Sequence, residues 1–490
     1  MVAQTIRKRA AMSACTLRQL VNVLVVLSST AEDGEIEVRI SVGPGADNGV
    51  WMGFLLPLAV LVDAFKYPTA SHTNTKASIP VLSVGLLLGV VSTLISAIHP
   101  MQQTIGSSIN LFTFMSSCLT AILMFEFTKT GLFICILMSF LIIFSSHQGL
   151  FVLLRSCPRS FTFGEACVVM QAFILFLYSS VANLYVEFSK EFPNDCVDTA
   201  TVIIQVGLLG VALICATVYT FMSLRSPPAF YTTVFVVSAG FVIPFLHIIL
   251  QSRNRLLYVC QIVLVVYWIV CSVVAILAVT TQVKAGEHAS TRVRKYFHLL
   301  ALAVFIPGIL LRFCLLYLAS GVVLALFVIL EIMRVLHMPP LGSVLNEGFT
   351  AFVDEKDCGN LALTPLYLLV GCSLPLWLHP LGQWGPTLHL LSGLLAVGVG
   401  DTAASVVGSR YGHYNWPDSN KTIEGTLACI ISQLVVVMVL GILGFMENSL
   451  GSFLKTTIAI VGTSLVEAKT DQVDNLALPL VTYILLVAQS

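Results

Sequence analysis

Asp401 follows two glycines, in Gly398-Val399-Gly400-Asp401-Thr402, at the end of a run apolar enough to lie in a bilayer. At such depth an ionisable side chain costs a few kcal/mol on insertion scales, so it needs a partner or a ligand. Mg²⁺ is usually held by one or two carboxylates together with substrate phosphates, and a carboxylate beside glycines suits a cation delivered by a nucleotide. Small residues in a membrane helix also allow close helix packing. Packing explains the glycines and Ala403, Ala404 and Ser405, but not Asp401. Further on, Lys421-Thr422 precede Glu424-Gly425 at a helix start. A lysine beside a hydroxyl at a helix N-terminus, with free N–H groups and the positive dipole end, makes a phosphate cradle. It is not a P-loop, and no protein-kinase signature occurs.

Three other polar stretches interrupt the apolar chain. In Arg294-Lys295-Tyr296-Phe297-His298, the two cations and the histidine share one helix face. They read either as a clamp for a polyphosphate or as a basic flank snorkelling to headgroups. Glu331 and Arg334 read as a pair within one helix or as part of a site. Glu467, Asp471 and Asp474 fall at i, i+4 and i+7, stacking three carboxylates on one helical face. Such a stack repels itself unless a cation sits among it; otherwise it is a solvated stripe relieved by Lys469.

The elements that must position these residues are membrane helices. The chain has 490 residues, 57% hydrophobic and only 10% charged, with mean hydropathy +0.93. Soluble domains carry about 25% charged residues, so the composition indicates an all-α polytopic integral membrane protein. Apolar segments predict roughly fifteen transmembrane helices. Lys+Arg and Asp+Glu are equal at 25 each, which gives no electrostatic footprint for a nucleic-acid partner. The 13 cysteines lack zinc or disulfide-scaffold spacing and read as small packing residues. Residues 1–49 read as a cytosolic tail, 50–280 as a hydrophobic multispan platform and 281–490 as the part with chemistry. The basic loop 281–297 is assigned to the cytosol by the positive-inside rule. Counting crossings from it places 336–362, 408–426 and 467–474 on the same face, where they can build one site.

At these residues the chain resembles the polyprenol kinase family. The resemblance rests on GVGDTAAS, GSRYG and KTIEGT, with RKYFH upstream and LVEAKTDQVDNLALPL at the C-terminus, and is dense from about residue 290 onward. It implies a CTP-binding loop facing the cytosol, carried over to Ser409, Arg410, Tyr411, Gly412, His413, Tyr414, Asn415, Trp416, Pro417, Asp418, Ser419, Asn420, Lys421, Thr422, Ile423 and Glu424. It also implies Mg²⁺ or another divalent cation, and a long isoprenoid alcohol, dolichol or a related polyprenol, as acceptor. The location it implies is the endoplasmic reticulum membrane, where the phosphorylated lipid serves as a carrier for protein glycosylation. Phytol and diacylglycerol kinases that use CTP share the core motifs, and an integral cytidylyltransferase or a transporter are the competing readings.

Phosphoryl transfer needs mainly positioning and charge neutralisation. Lys421, with Arg294, Lys295 and His298, would balance the triphosphate. Asp401, with Glu424 or with Glu467 and Asp471, would hold the metal, or one of these carboxylates accepts the alcohol's proton. With no protein partner assigned to Asp401, Asp401→Asn is expected to leave the resting protein as stable as before, or more so, while removing activity.

Overall fold

The computed structural model describes residues 49–67, 74–98, 111–128, 130–188, 196–252, 259–285, 291–352, 359–378, 387–417, 419–445 and 449–489. The predicted N-terminal tail and Asp418 therefore lie outside the described residues, Gly49 apart. Helices make up the fold, and the described residues contain a single isolated β-bridge, Asn415 to Thr422. Ten described helices are long and apolar enough to cross a membrane. The remaining predicted spans fall on helices that are shorter, interrupted or, in the 20-residue Leu450–Lys469, less apolar. Leu55–Lys66 has 12 residues, and Thr364–Leu378 and Asp474–Gln489 are short apolar helices. The segment leading to Asp401 passes from a 3-10 turn, Leu388–Leu391, into a π-helical stretch, Leu394–Asp401, and then the α-helix Thr402–Tyr411.

The described residues pack as two compact units, 49–61 with 74–175 in the first and 62–67 with 176–489 in the second. In the first, helices Asn74–Ile98, Leu111–Thr128 and Leu132–Ser156 pack on one another. Thr120, Ile143 and Ser139 are buried between them.

The second unit carries the motifs. Its core gathers Phe305, Leu316, Leu376, Leu394, Leu395, Val437, Ile460 and Leu486 from seven different helical segments. Burying such side chains contributes about 1.5–3 kcal/mol each in water, but a bilayer is itself apolar. Here close packing between helices must therefore supply the specificity. Glycine makes that approach possible beside Asp401. A Cβ at Gly398 would meet Leu302 at 2.8 Å, and one at Gly400 would meet Gln433 at 2.5 Å. The two glycines thus let the π-helical stretch press between the helices Thr291–Leu311 and Ile423–Ile442. Short π-helical insertions are frequent at functional sites.

Two polar features hold the unit together away from this point. Glu331 and Arg334 form a nearly buried pair at 2.7 Å. Glu331 also accepts the Ala362 N–H at 2.8 Å, while Arg334 donates to the Asn360 carbonyl at 2.6 Å and to Asn346 Oδ1 at 3.2 Å. The pair is a strut that pins the segment 360–362 and the helix Gly342–Phe352 to Phe313–Val335. Breaking a buried pair by removing one charge costs about 3–5 kcal/mol. Glu331→Gln is therefore expected to lower the thermal midpoint without a selective change in KM for nucleotide. A selective change in that KM would move the pair into the site.

The second feature corrects the reading of the cysteines as packing residues only. Cys196 and Cys314 form a disulfide across 118 residues of sequence. It joins the first residue of the helix Cys196–Thr220 to the second of Phe313–Val335. The spacing pattern gave no sign of it because a lone bridge between two helix ends leaves no local motif.

Candidate active site

Five segments bring their polar residues to one end of the second unit. From the first turns of the helix Thr291–Leu311, Lys295 reaches the Asp401 carboxylate in a direct ion pair. One turn deeper, His298 lies 3.5 Å from the same carboxylate and 3.1 Å from Asn475 Oδ1. Asp401 is only 4% exposed. Lys421 in turn places its ammonium 2.7 Å from Glu467 and 3.4 Å from Asp474. The two groups form one electrostatic unit, since Lys421 and Glu467 both feel the charge of Asp401. Burial opposes the charge on Lys421, but Asp474 and Glu467 outweigh it and hold the ammonium protonated above its usual range.

Local structure explains how Lys421 arrives there. The segments 412–417 and 419–422 lie back against each other: Trp416 N–H donates to the Lys421 carbonyl at 2.9 Å, and Ile423 N–H to the Tyr414 carbonyl at 2.8 Å. Thr422 caps the helix Ile423–Ile442 by accepting the Gly425 N–H at 3.2 Å, the usual device for satisfying a helix start. Lys469 clamps the turn from the opposite side. Its ammonium donates to the Pro417 carbonyl at 3.0 Å and lies over the Trp416 ring at 5.4 Å. Trp416 is fixed further by its indole N–H, which donates to Thr426 Oγ1 at 2.9 Å.

Several of the expected residues sit differently from their sequence reading. The Glu424 carboxylate accepts the backbone N–H groups of His413 at 3.0 Å and Tyr414 at 3.3 Å, so it braces the loop. Asp471 is exposed, and Asp474 takes the place beside Glu467 that the helical spacing had given jointly to 471 and 474. The cause is a break in the helix: Leu450–Lys469 ends, and a new helix begins at Asp474. Gln472 N–H caps onto Thr470 Oγ1 in between, and the i, i+4, i+7 stripe is interrupted. Arg294 is half-buried. Ser409, Arg410, Tyr411, His413, Tyr414, Asn415, Pro417, Asn420 and Ile423 are exposed, while Gly412, Ser419 and Thr422 are half-buried. Asn475 was not singled out from the sequence, and Asp474 was read only as one member of the carboxylate stack, although both stand in the C-terminal stretch that carried the resemblance.

Among the described residues, no cluster of three or more histidine, cysteine, aspartate or glutamate side chains stands ready as a metal cage. The donor chemistry nevertheless fits a nucleotide-borne divalent cation. Glu467 and Asp474 converge on a single positive centre, the Lys421 ammonium, and Mg²⁺ normally takes one or two carboxylates and completes its shell with phosphate and water.

A family profile described as dolichol kinase matches residues 75–413, a span that includes Lys295, His298 and Asp401. The chain belongs to the dolichol kinase family. It is 38% identical to a human dolichol kinase over 365 residues, covering 69% of this chain and 67% of the relative. Dolichol kinase EVAN of Arabidopsis thaliana is 32% identical over 381 residues, with 68% and 66% coverage. Dolichol kinase sec59 of Schizosaccharomyces pombe is 30% identical over 249 residues, or 48% of each chain. No solved structure matches the chain. Dolichol kinase membership agrees with the resemblance seen in the motifs around Asp401 and Lys421.

Proposed function

We propose that this protein transfers the γ-phosphoryl group of CTP to the hydroxyl of dolichol or a related polyprenol, giving the monophosphate and CDP. The observation that carries this reading is the meeting of Lys295, His298, Asp401, Lys421, Glu467 and Asp474 at one end of a membrane bundle. A membrane alcohol and a water-soluble donor can meet only at such an interface. The helices Thr291–Leu311, Ile423–Ile442 and Asp474–Gln489 all begin there, so three positive dipole ends join the two lysines in favouring an anionic donor.

In this reading Lys421 holds the triphosphate, and Lys295 steadies Asp401 within reach of it. Glu467 and Asp474 would hold a divalent cation, which supplies neutralisation of phosphate charge. Asp401 orients Lys295 and His298, and the loop Ser409–Glu424 takes the nucleoside, shaped by Glu424, Trp416 and Lys469. Transfer of a phosphoryl group depends mostly on such positioning and electrostatics.

The disulfide supports a site that faces the cytosol of an endoplasmic-reticulum-type membrane. The helix Thr291–Leu311 carries Lys295 near its start, and Cys314 follows just after its end, so the bridge belongs to the opposite side of the bundle. Disulfides persist in oxidising compartments and are rare in the cytosol. In sealed microsomes, a cysteine replacing exposed Asn420 should react with an impermeant maleimide added outside, and the Cys196–Cys314 peptide should be recovered only without reductant. Glycosylation of Asn420, or labelling of the new cysteine only after permeabilisation, would reverse the orientation.

The activity itself is tested with purified protein in nanodiscs, γ-labelled CTP and a panel of lipid alcohols. Label should move into the lipid, with a preference for long isoprenoid alcohols. Label released as pyrophosphate would identify a cytidylyltransferase instead.

A further inference from the structure

The contacts of His298 Nε2 fix which of the ring nitrogens is bare. Its Nε2 faces two acceptors, Asn475 Oδ1 at 3.1 Å and Asp401 Oδ2 at 3.5 Å. Neither can donate a proton, so the ring must carry its hydrogen on Nε2. In the neutral ring, Nδ1 is then an acceptor with an open lone pair. That atom is buried and has no hydrogen-bond partner among the described residues, in a residue only 6% exposed. A buried acceptor left without a donor is costly, so the position calls for an O–H or N–H group from a ligand.

The surroundings narrow the class of ligand. One turn toward the start of the helix, Lys295 pairs with Asp401. One turn in the other direction, Ala301 and Leu302 pack into the apolar core around Phe305 and Leu394. His298 thus stands at the boundary between the charged end of the bundle and its hydrocarbon-like interior. Ionised phosphates offer no hydrogen to a bare imidazole nitrogen. A hydroxyl at the end of an apolar chain offers one hydrogen-bond donor and brings a tail matched to the interior.

We infer that Nδ1 of His298 is the seat of the acceptor alcohol's hydroxyl, so that His298 reads the lipid and does not clamp the phosphates. Asn475 and Asp401 are positioning residues that hold the ring in the tautomer able to accept. This inference rests on the kinase reading for its choice of alcohol, but the binding event needs no nucleotide and can be measured alone.

The experiment uses the full chain in nanodiscs without nucleotide, with tritiated geranylgeraniol and its methyl ether as probes. The ether keeps the tail and removes only the O–H donor. Capture above empty nanodiscs should favour the alcohol over the ether by about tenfold, the order expected for one net hydrogen bond. His298→Phe, or His298→Met should the ring not be accommodated, should bring that ratio near one. Both variants should bind CTP as the parent does, and in turnover should raise KM for the alcohol with KM for CTP unchanged. Equal capture of alcohol and ether by the parent protein means that the nitrogen meets only water, and overturns the inference. A preference that survives both variants overturns it too. If the preference is present and lost on substitution in a protein that transfers no phosphate from CTP, the hydroxyl seat stands and the kinase reading falls.

Discussion

Replacing Asp401 by asparagine is expected to lower turnover by orders of magnitude and to destabilise the resting protein as well. The loss of activity follows from its place: the carboxylate organises Lys295 and His298 beside the proposed phosphoryl path, and preorganised electrostatics is usually the largest catalytic term. The stability effect reverses the expectation drawn from sequence. An unpaired Asp401 would be relieved by neutralisation, but here it is the counter-ion of Lys295, whose side chain is only 13% exposed. Neutralising one partner strands the other, at a cost of about 3–5 kcal/mol for a buried pair. Replacing both by apolar residues of similar size is often neutral or stabilising. The double variant Lys295→Met/Asp401→Leu should therefore regain the thermal midpoint lost by Asp401→Asn and remain inactive. Near-normal turnover in Asp401→Asn would place the chemistry elsewhere in the site.

Lys421→Ala should lower kcat/KM for CTP roughly ten- to a hundredfold, the loss expected for a charge-assisted phosphate contact worth about 1.5–3 kcal/mol. Lys421→Arg should recover only part, because the planar guanidinium keeps the charge but not the shape. The alanine variant also leaves Glu467 and Asp474 facing each other with no cation between them. Its thermal midpoint should fall, and millimolar Mg²⁺ should raise that midpoint more than it raises the parent's. A variant that gains nothing from Mg²⁺ would argue that these two carboxylates are not where the metal sits. An unchanged kcat/KM for CTP in a folded Lys421→Ala protein would remove the lysine from the site.

The membrane helices and the segments that carry the site were legible in the sequence, because both rest on local properties. Apolar runs of the right length must be helical in lipid, since every backbone group has to be satisfied within the segment. Charges that interrupt such runs are costly enough to mark themselves, which is why Lys295, His298, Asp401, Lys421 and Glu467 stood out. The partners could not be read in the same way. Lys295 and Asp401 are 106 residues apart, and Lys421 and Asp474 are 53 apart. Periodicity assigns a residue to a face of its own helix but not the face to a neighbour. It fails outright where a helix stops, as between Lys469 and Asp474, and so Asp471 took a place that belongs to Asp474. Glu424 had the right type and spacing for metal or catalysis, yet the folded loop presents it with two backbone N–H groups. The residue types and the helices were therefore determined by the sequence alone. Which charge meets which, which cysteines pair and which nitrogen of His298 is bare were decided only by tertiary packing, because each depends on distances between segments that no local pattern encodes.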